Sequence, residues 1–196
     1  MLSETGWRQS RALGLALKRQ GTAPAARVRG AQRRHRETLE GLAEGLGGDA
    51  EAATVETGLN EFDFKGLLEA RFRGRPKPEG LHGDRKTHFR ILRDTVLAWQ
   101  RDEIADPPEP FAAFAARVRG ALDRMAAAEG PVLAVSSGGP IAFLVAAAVE
   151  APPAQMIRLQ LQMRNCGVAR LIVGRSGVHL HGFNETPHVD AESAPS

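Results

Sequence analysis

Three short stretches of this chain carry residue types that could act on an anion. The first is Ser136-Ser137-Gly138-Gly139. It follows the apolar run PVLAV and precedes an apolar segment of helical character. Free backbone N–H groups and the positive end of a helix dipole would meet there, which makes a ready anion site. A tight strand-to-helix turn with no ligand has the same pattern. The second stretch is RRHRET, residues 33–38. On a helix Arg34 and Thr38 stand one turn apart on one face, and an arginine fork there could hold a phosphate. A solvated basic face built by Arg33, Arg34 and Arg36 is the plainer alternative. The third is Glu61 in LNEFDF. Its apolar neighbours could raise its pKa and leave it a general acid; a surface or structural carboxylate is the other reading.

These residues must be held by a scaffold, and the periodicity indicates which one. Ser3 is a good N-cap for a helix over residues 3–20, with Leu13, Ala16, Leu17 and Gln20 on one face and Gly21 able to end it. Ala25 to Gly30 reads as a short strand or loop. A second helix spans 31–46, with Leu39, Leu42, Ala43 and Leu46 on its stripe, closed by Gly47 and Gly48. Residues 47–58 read as a loop, 59–68 as mixed, and the Gly-, Pro-, Arg- and His-rich segment 71–88 as an exposed loop or insertion. Two more helical patterns follow. One uses Phe89, Leu92, Val96 and Trp99; the other uses Phe111, Phe114, Ala115, Val118, Leu122 and Met125. Pro107, Pro108 and Pro110 separate them.

The pattern then changes. Pro131–Val135 suits a buried, central parallel strand, and Pro140–Val149 a helix packed on it. Pro152 and Pro153 open another short helix. Gly167–Val173 and Val178–Phe183 read as strands joined by a GRSG turn. The expected fold is α/β: three layers, α/β/α, around a mostly parallel central sheet. One domain over residues 1–188 and a disordered tail over 189–196 are expected.

Bulk properties narrow the function classes. Of 196 residues, 42% are hydrophobic and 25% charged, as in ordinary globular proteins. The net charge of +3 and pI near 9.6 tolerate anionic ligands but are too mild to argue for nucleic acid. A nucleic-acid reading of the arginine-rich stretch 27–36 would want exposed aromatics beside it; tyrosine is absent and aromatics are 5%. The single cysteine, Cys166, excludes an internal disulfide and argues against a zinc cluster. No apolar run is long enough to span a bilayer and no signal peptide is legible at the N-terminus. The expectation is a cytoplasmic protein with no cofactor, no metal, no membrane and no nucleic-acid partner. Its ligand would be a phosphorylated small molecule or free phosphate, and a homodimer is open.

Taken in order, the motifs resemble the histidine phosphatase (phosphoglycerate mutase-like) superfamily. LSETGWRQSRALGLAL is similar to the helix after the family's first catalytic motif. RRHRETLE is similar to its arginine helix, LNEFDF to its acidic motif and VSSGGPI to its second catalytic motif. NCGVARLIV and VHLHGFNETPHV resemble the closing strands and the terminal Asn/His segment, here Asn184 and His188. The resemblance implies phosphate binding by Arg34, Ser137 and Gly138 and proton donation by Glu61. It also implies hydrolysis of phosphate esters through a phosphohistidine.

Two departures qualify that implication. The family carries Arg-His-Gly at the end of a first strand, and this chain starts after that point. The expectation is therefore a sheet with a disturbed central position, and little or no activity as the chain stands. The alternative is an active hydrolase whose true N-terminus lies upstream. The second catalytic histidine falls at Ser137, which could also be a subfamily trait. RHRET, residues 34–38, imitates the nucleophile motif, but no apolar strand precedes it and Arg36 stands where a glycine is needed. His35 is expected to be an exposed helical histidine, and Ser137 to have no histidine near it to activate it.

Overall fold

The computed structural model describes residues 1–74 and 85–189. The central part of the arginine- and proline-rich segment, residues 75–84, and all but the first residue of the expected tail lie outside the described residues. The first helix, α1 (Glu4–Arg19), starts where a serine can cap it: the Ser3 hydroxyl accepts the Gly6 N–H at 3.1 Å. Next come β1 (Ala26–Arg29), α2 (Arg33–Leu46) and a two-residue strand β2 (Thr54–Val55). β2 corrects the expectation of a plain loop over 47–58. Two residues carry no periodicity that could have marked a strand. A 3-10 turn at Thr57–Leu59 leads to α3 (Phe64–Arg71).

The helix α4 runs from Arg85 to Gln100, so it begins inside the segment read as an exposed loop. α5 (Phe111–Ala126), β3 (Val132–Val135), α6 (Gly138–Ala148), α7 (Gln155–Gln162), β4 (Val168–Gly174) and β5 (Gly177–Glu185) complete the order.

The architecture is three-layer α/β/α-like with a parallel central sheet, in the order β2-β1-β3. β1 and β3 run in register from Ala26 opposite Val132 to Arg29 opposite Val135. β4 and β5 form a separate antiparallel hairpin closed by the GRSG turn. Among the described residues β3 pairs on one side only, with β1, and β4 pairs only with β5. Among the described residues the strands thus stand in two separate sheets. The same feature corrects another expectation. The run PVLAV forms the edge of the three-stranded ladder, and only Val135 of β3 is fully buried. An apolar run shows that a strand wants cover; it does not show which neighbours are there to provide it.

Period-two alternation sorts β3 between two cores. Leu133 and Val135 face α1 and α2, where Leu13, Leu17, Leu39, Leu42 and Leu46 are buried. Val132 packs on the other side with Val28, Leu59 and Ala121. The largest core is aromatic. Phe62, Trp99, Phe114 and Phe143 meet with ring centroids 5.0–5.7 Å apart, in tilted or edge-on pairs. The Trp99 indole N–H donates to the Glu109 carbonyl at 2.6 Å, which satisfies its one polar atom. α6 is apolar all round because it is enclosed: Ala142 through Ala146 are all buried.

Candidate functional site

In open α/β sheets, ligands bind in the crevice beyond the carboxyl ends of the strands. Here β1 and β3 end side by side. The Gly30 N–H donates to the Val135 carbonyl at 3.0 Å, and the chain then turns into α2 on one side and α6 on the other. A third segment, the one after β2, is tied to both turns. The Ser136 hydroxyl donates to the Leu59 carbonyl at 2.7 Å, and the Asn60 side-chain Oδ1 accepts the Ala31 N–H at 2.7 Å. Gln32 accepts the Glu61 N–H at 3.3 Å. Three stretches distant in sequence therefore meet at one place.

Arg34, in the first turn of α2, points its guanidinium at Ser137. Nε donates to Oγ at 3.1 Å and Nη2 at 2.7 Å. Ser137 is the N-cap residue of α6, yet its side chain makes no capping bond. Its hydroxyl is committed to the site instead. Glu61 reaches the same turn: Oε2 accepts the Gly139 N–H at 3.0 Å and Oε1 the Phe62 N–H at 3.3 Å. A Cβ on Gly139 would lie 2.0 Å from that Oε1 and 2.7 Å from the Phe62 ring, so only glycine admits this approach. Burial pushes the Glu61 carboxyl above its usual range. The Gly139 N–H and the Arg34 charge hold the rise back. Arg34, Ser137 and Glu61 thus converge, with Gly138 opening α6 between them.

His35 departs from expectation. It is 1% exposed, and its Nε2 lies 2.6 Å from Ser137 Oγ. Both the expected exposed helical histidine and the expected absence of a histidine near Ser137 are corrected. The physical reason is helical phase. His35, Leu39, Leu42 and Leu46 are spaced by four, three and four, so His35 tops the buried stripe of α2. Burial, then the Arg34 and Arg29 charges, lowers its pKa from 6.5 to about 4. The ring is neutral at neutral pH.

The Ser137 oxygen receives two N–H groups from Arg34, and the ring is the remaining partner for its own hydrogen. The hydroxyl therefore donates to Nε2, which assigns the ring proton to Nδ1. That Nδ1 is buried with no partner among the described residues.

Other residues named from the sequence stand apart. Asn184 holds a turn: its carbonyl oxygen accepts the Arg164 N–H and its amide donates to the Gln162 carbonyl, both at 2.8 Å. The two ring nitrogens of His188 have no hydrogen-bond partner among the described residues. Thr38 is half-buried behind Arg34. A cavity of about 600 Å³ lies elsewhere, between α5, α6 and the β4–β5 turn, lined by Arg119, Asp123, Leu144 and His179 among others. It shares no residue with the site. Among the described residues no group of three or more His, Cys, Asp or Glu is placed to hold a metal ion. No helix there is long and apolar enough to cross a membrane.

The family model for the histidine phosphatase superfamily, branch 1, matches residues 1–186. The chain belongs to the histidine phosphatase superfamily. No curated protein sequence matches this superfamily member. Solved structures do. A mycobacterial glucosyl-3-phosphoglycerate phosphatase is 25% identical with a TM-score of 0.64, over 95% of this chain and 88% of that one. The α-ribazole phosphatase of Shigella flexneri is 16% identical with a TM-score of 0.65, over 95% and 85%. A phosphoserine phosphatase variant from Entamoeba histolytica, bound to phosphoserine, is 15% identical with a TM-score of 0.64, over 96% and 86%. Likeness to the last two is one of fold. Within the matched region, His35 of α2 touches Ser137 at the start of α6.

Proposed function

We propose that this histidine phosphatase superfamily member binds the phosphate group of a phosphorylated small molecule, with little or no hydrolysis as the chain stands. Arg34 would grip the anion, Gly138 and the start of α6 would supply backbone N–H groups, and the Ser137 hydroxyl would donate beside them. Glu61, half-buried with a raised pKa, is suited to hold a proton next to a leaving oxygen.

The observation that carries this reading is the Arg34 fork. Two N–H groups of one guanidinium converge on a single oxygen at a helix N-terminus. A phosphate oxygen in place of the serine oxygen would be held in the same way. The likeness to phosphatase structures supports the same ligand class. Turnover is another matter. Displacement at phosphorus through a covalent intermediate needs an accessible nucleophile. His35 is 1% exposed with its Nε2 held by Ser137, so it has no approach to a bound phosphorus.

Calorimetric titration with inorganic phosphate, paired with an aryl phosphate assay, tests this. Saturable binding that falls at least ~10-fold in Arg34→Ala, with negligible hydrolysis, is the expected result. Absence of binding, or binding indifferent to Arg34, would refute the pocket. Clear Arg34-dependent turnover would refute the claim of inactivity.

A further inference from the structure

The buried pair His35–Ser137 has more order than anion binding alone requires. The serine hydrogen points at the ring, and the arginine occupies both lone pairs of the oxygen. An incoming anion needs the opposite: a hydroxyl hydrogen pointing outward, and an arginine released to bind it.

We propose that His35 is a positioning residue that takes up a proton when a dianion binds, reversing the hydrogen bond so that Nε2–H donates to Ser137 Oγ and the Ser137 hydrogen turns to the anion. The inference rests on the phosphate pocket proposed above and adds to it a regulated property: binding draws a proton from solvent.

Local structure supports the reversal. The ring sits in a fixed seat, since a Cβ on Gly30 would stand 2.1 Å from its Nδ1. The ring cannot swing into the pocket without leaving that seat, so it acts through the serine and not on the ligand. Its charge surroundings are one-sided. Arg34 from its own helix and Arg29 from β1 disfavour a positive ring. Glu61, from the segment after β2, faces the same turn but is engaged by the Gly139 N–H and lifted toward its neutral form. Glu37, two residues along α2, is held by Arg33 and the Leu2 N–H. A dianion beside Arg34 would neutralise the charge that keeps His35 deprotonated, and opposite charge within a few ångströms favours the protonated imidazole. Anion binding and proton binding at His35 must then strengthen each other by the same factor.

Sulfate is the probe, because it stays a dianion and adds no titration of its own. Sulfate is titrated into the full chain near pH 5.5 in buffers of different ionisation enthalpy, which gives the protons taken up per anion. Uptake of about 0.5–1 proton is expected, with the nitrogen NMR signals of His35 moving from the Nδ1–H neutral pattern to the imidazolium pattern. Glu61 beside the anion can take up a proton too, so the comparison is made in Glu61→Gln, which should keep most of the uptake. Adding His35→Gln, which keeps a donor and acceptor but cannot titrate, should leave sulfate bound a few-fold more weakly with uptake near zero. Ser137→Ala should lose the part of the uptake that the Nε2–H bond to Oγ supports and keep only the part due to neutralising the Arg34 charge. Should a variant fail to fold, the wild-type NMR titration still decides. Sulfate binding with His35 neutral throughout, or with a tautomer change and no uptake, overturns the proposal and leaves the pocket standing. No sulfate binding overturns both.

Discussion

Ser137 Oγ lies 2.6 Å from His35 Nε2 although 102 residues separate the two. The sheet makes this possible. β1 and β3 are parallel and in register to their last residues, Arg29 and Val135, so the helices that follow begin side by side. The first turn of α2 presents Arg34 and His35 on adjacent faces. Arg34 reaches the serine from the solvent side and His35 from the core side, and both end on the same oxygen.

That shared oxygen makes the Arg34 position intolerant of lysine. Lysine keeps the charge but offers a point ammonium in place of a planar fork. Arg34→Lys should weaken sulfate or phosphate binding by roughly tenfold, about 1.4 kcal/mol, while the unfolding midpoint in urea stays near wild type because the side chain is exposed over much of its length. Equal affinity of the lysine variant in calorimetry would show that the fork is not used as such.

The buried ring also sets a stability window. His35 titrates near 6.5 unfolded and at about 4 folded. Between those values the unfolded chain binds more protons, so stability rises with pH there. The contribution is fully present above pH 6.5 and is lost as the pH falls toward 4, by up to about 3 kcal/mol. Urea unfolding at pH 7 and pH 5 should therefore show a larger drop for wild type than for His35→Gln. Parallel drops in the two proteins would mean that the ring is not held neutral by the fold.

Much of this arrangement was legible beforehand, and the exceptions have physical causes. Helices α1, α2, α5 and α6 follow stripes of three-four spacing or unbroken apolar composition, and both are local signals. Arg34, Glu61 and Ser137 were each suggested by residue type and neighbours. Their meeting at one oxygen and one N–H depends on strand register, which no local pattern encodes. At His35 composition and helical phase point in opposite directions. A histidine between arginines reads as surface, but position 35 continues the stripe of Leu39, Leu42 and Leu46. Weighting phase above composition would have buried it. The edge placement of β3 is not legible in its sequence, because an apolar run does not name its partners.

Gly139 is where the carboxylate meets the helix. Its substitution by alanine would put a methyl group against Glu61 and the Phe62 ring, and the ring is packed on Trp99 and Phe114. The glutamate can swing away; the ring cannot do so cheaply. Gly139→Ala should cost roughly 1–3 kcal/mol by overpacking, even though alanine favours helix over glycine by about 1 kcal/mol in a helix interior. An unchanged urea midpoint would show that the turn yields more easily than its contacts indicate.

Glu61 gives the remaining test, and its sign is opposite to that of His35. Its folded pKa lies above the ordinary 4.5 because burial penalises the carboxylate. The folded state binds the extra proton, so this group's contribution to stability is greatest at low pH and declines as pH rises through 4.5 and the raised folded value. Glu61→Gln keeps an oxygen for the Gly139 N–H and removes the charge. The variant should equal wild type in urea at low pH and gain on it as the pH rises. Sulfate binding should follow the same course. Once the wild-type carboxyl ionises, it sets a negative charge beside the anion held by Arg34, and the glutamine variant should then bind sulfate a few-fold more tightly. Calorimetry at pH 5 and pH 8 reads the effect as a ratio of affinities. A glutamine variant that binds more weakly at both pH values would mean that Glu61 orders the turn as a carboxylate and does not act as a buried acid.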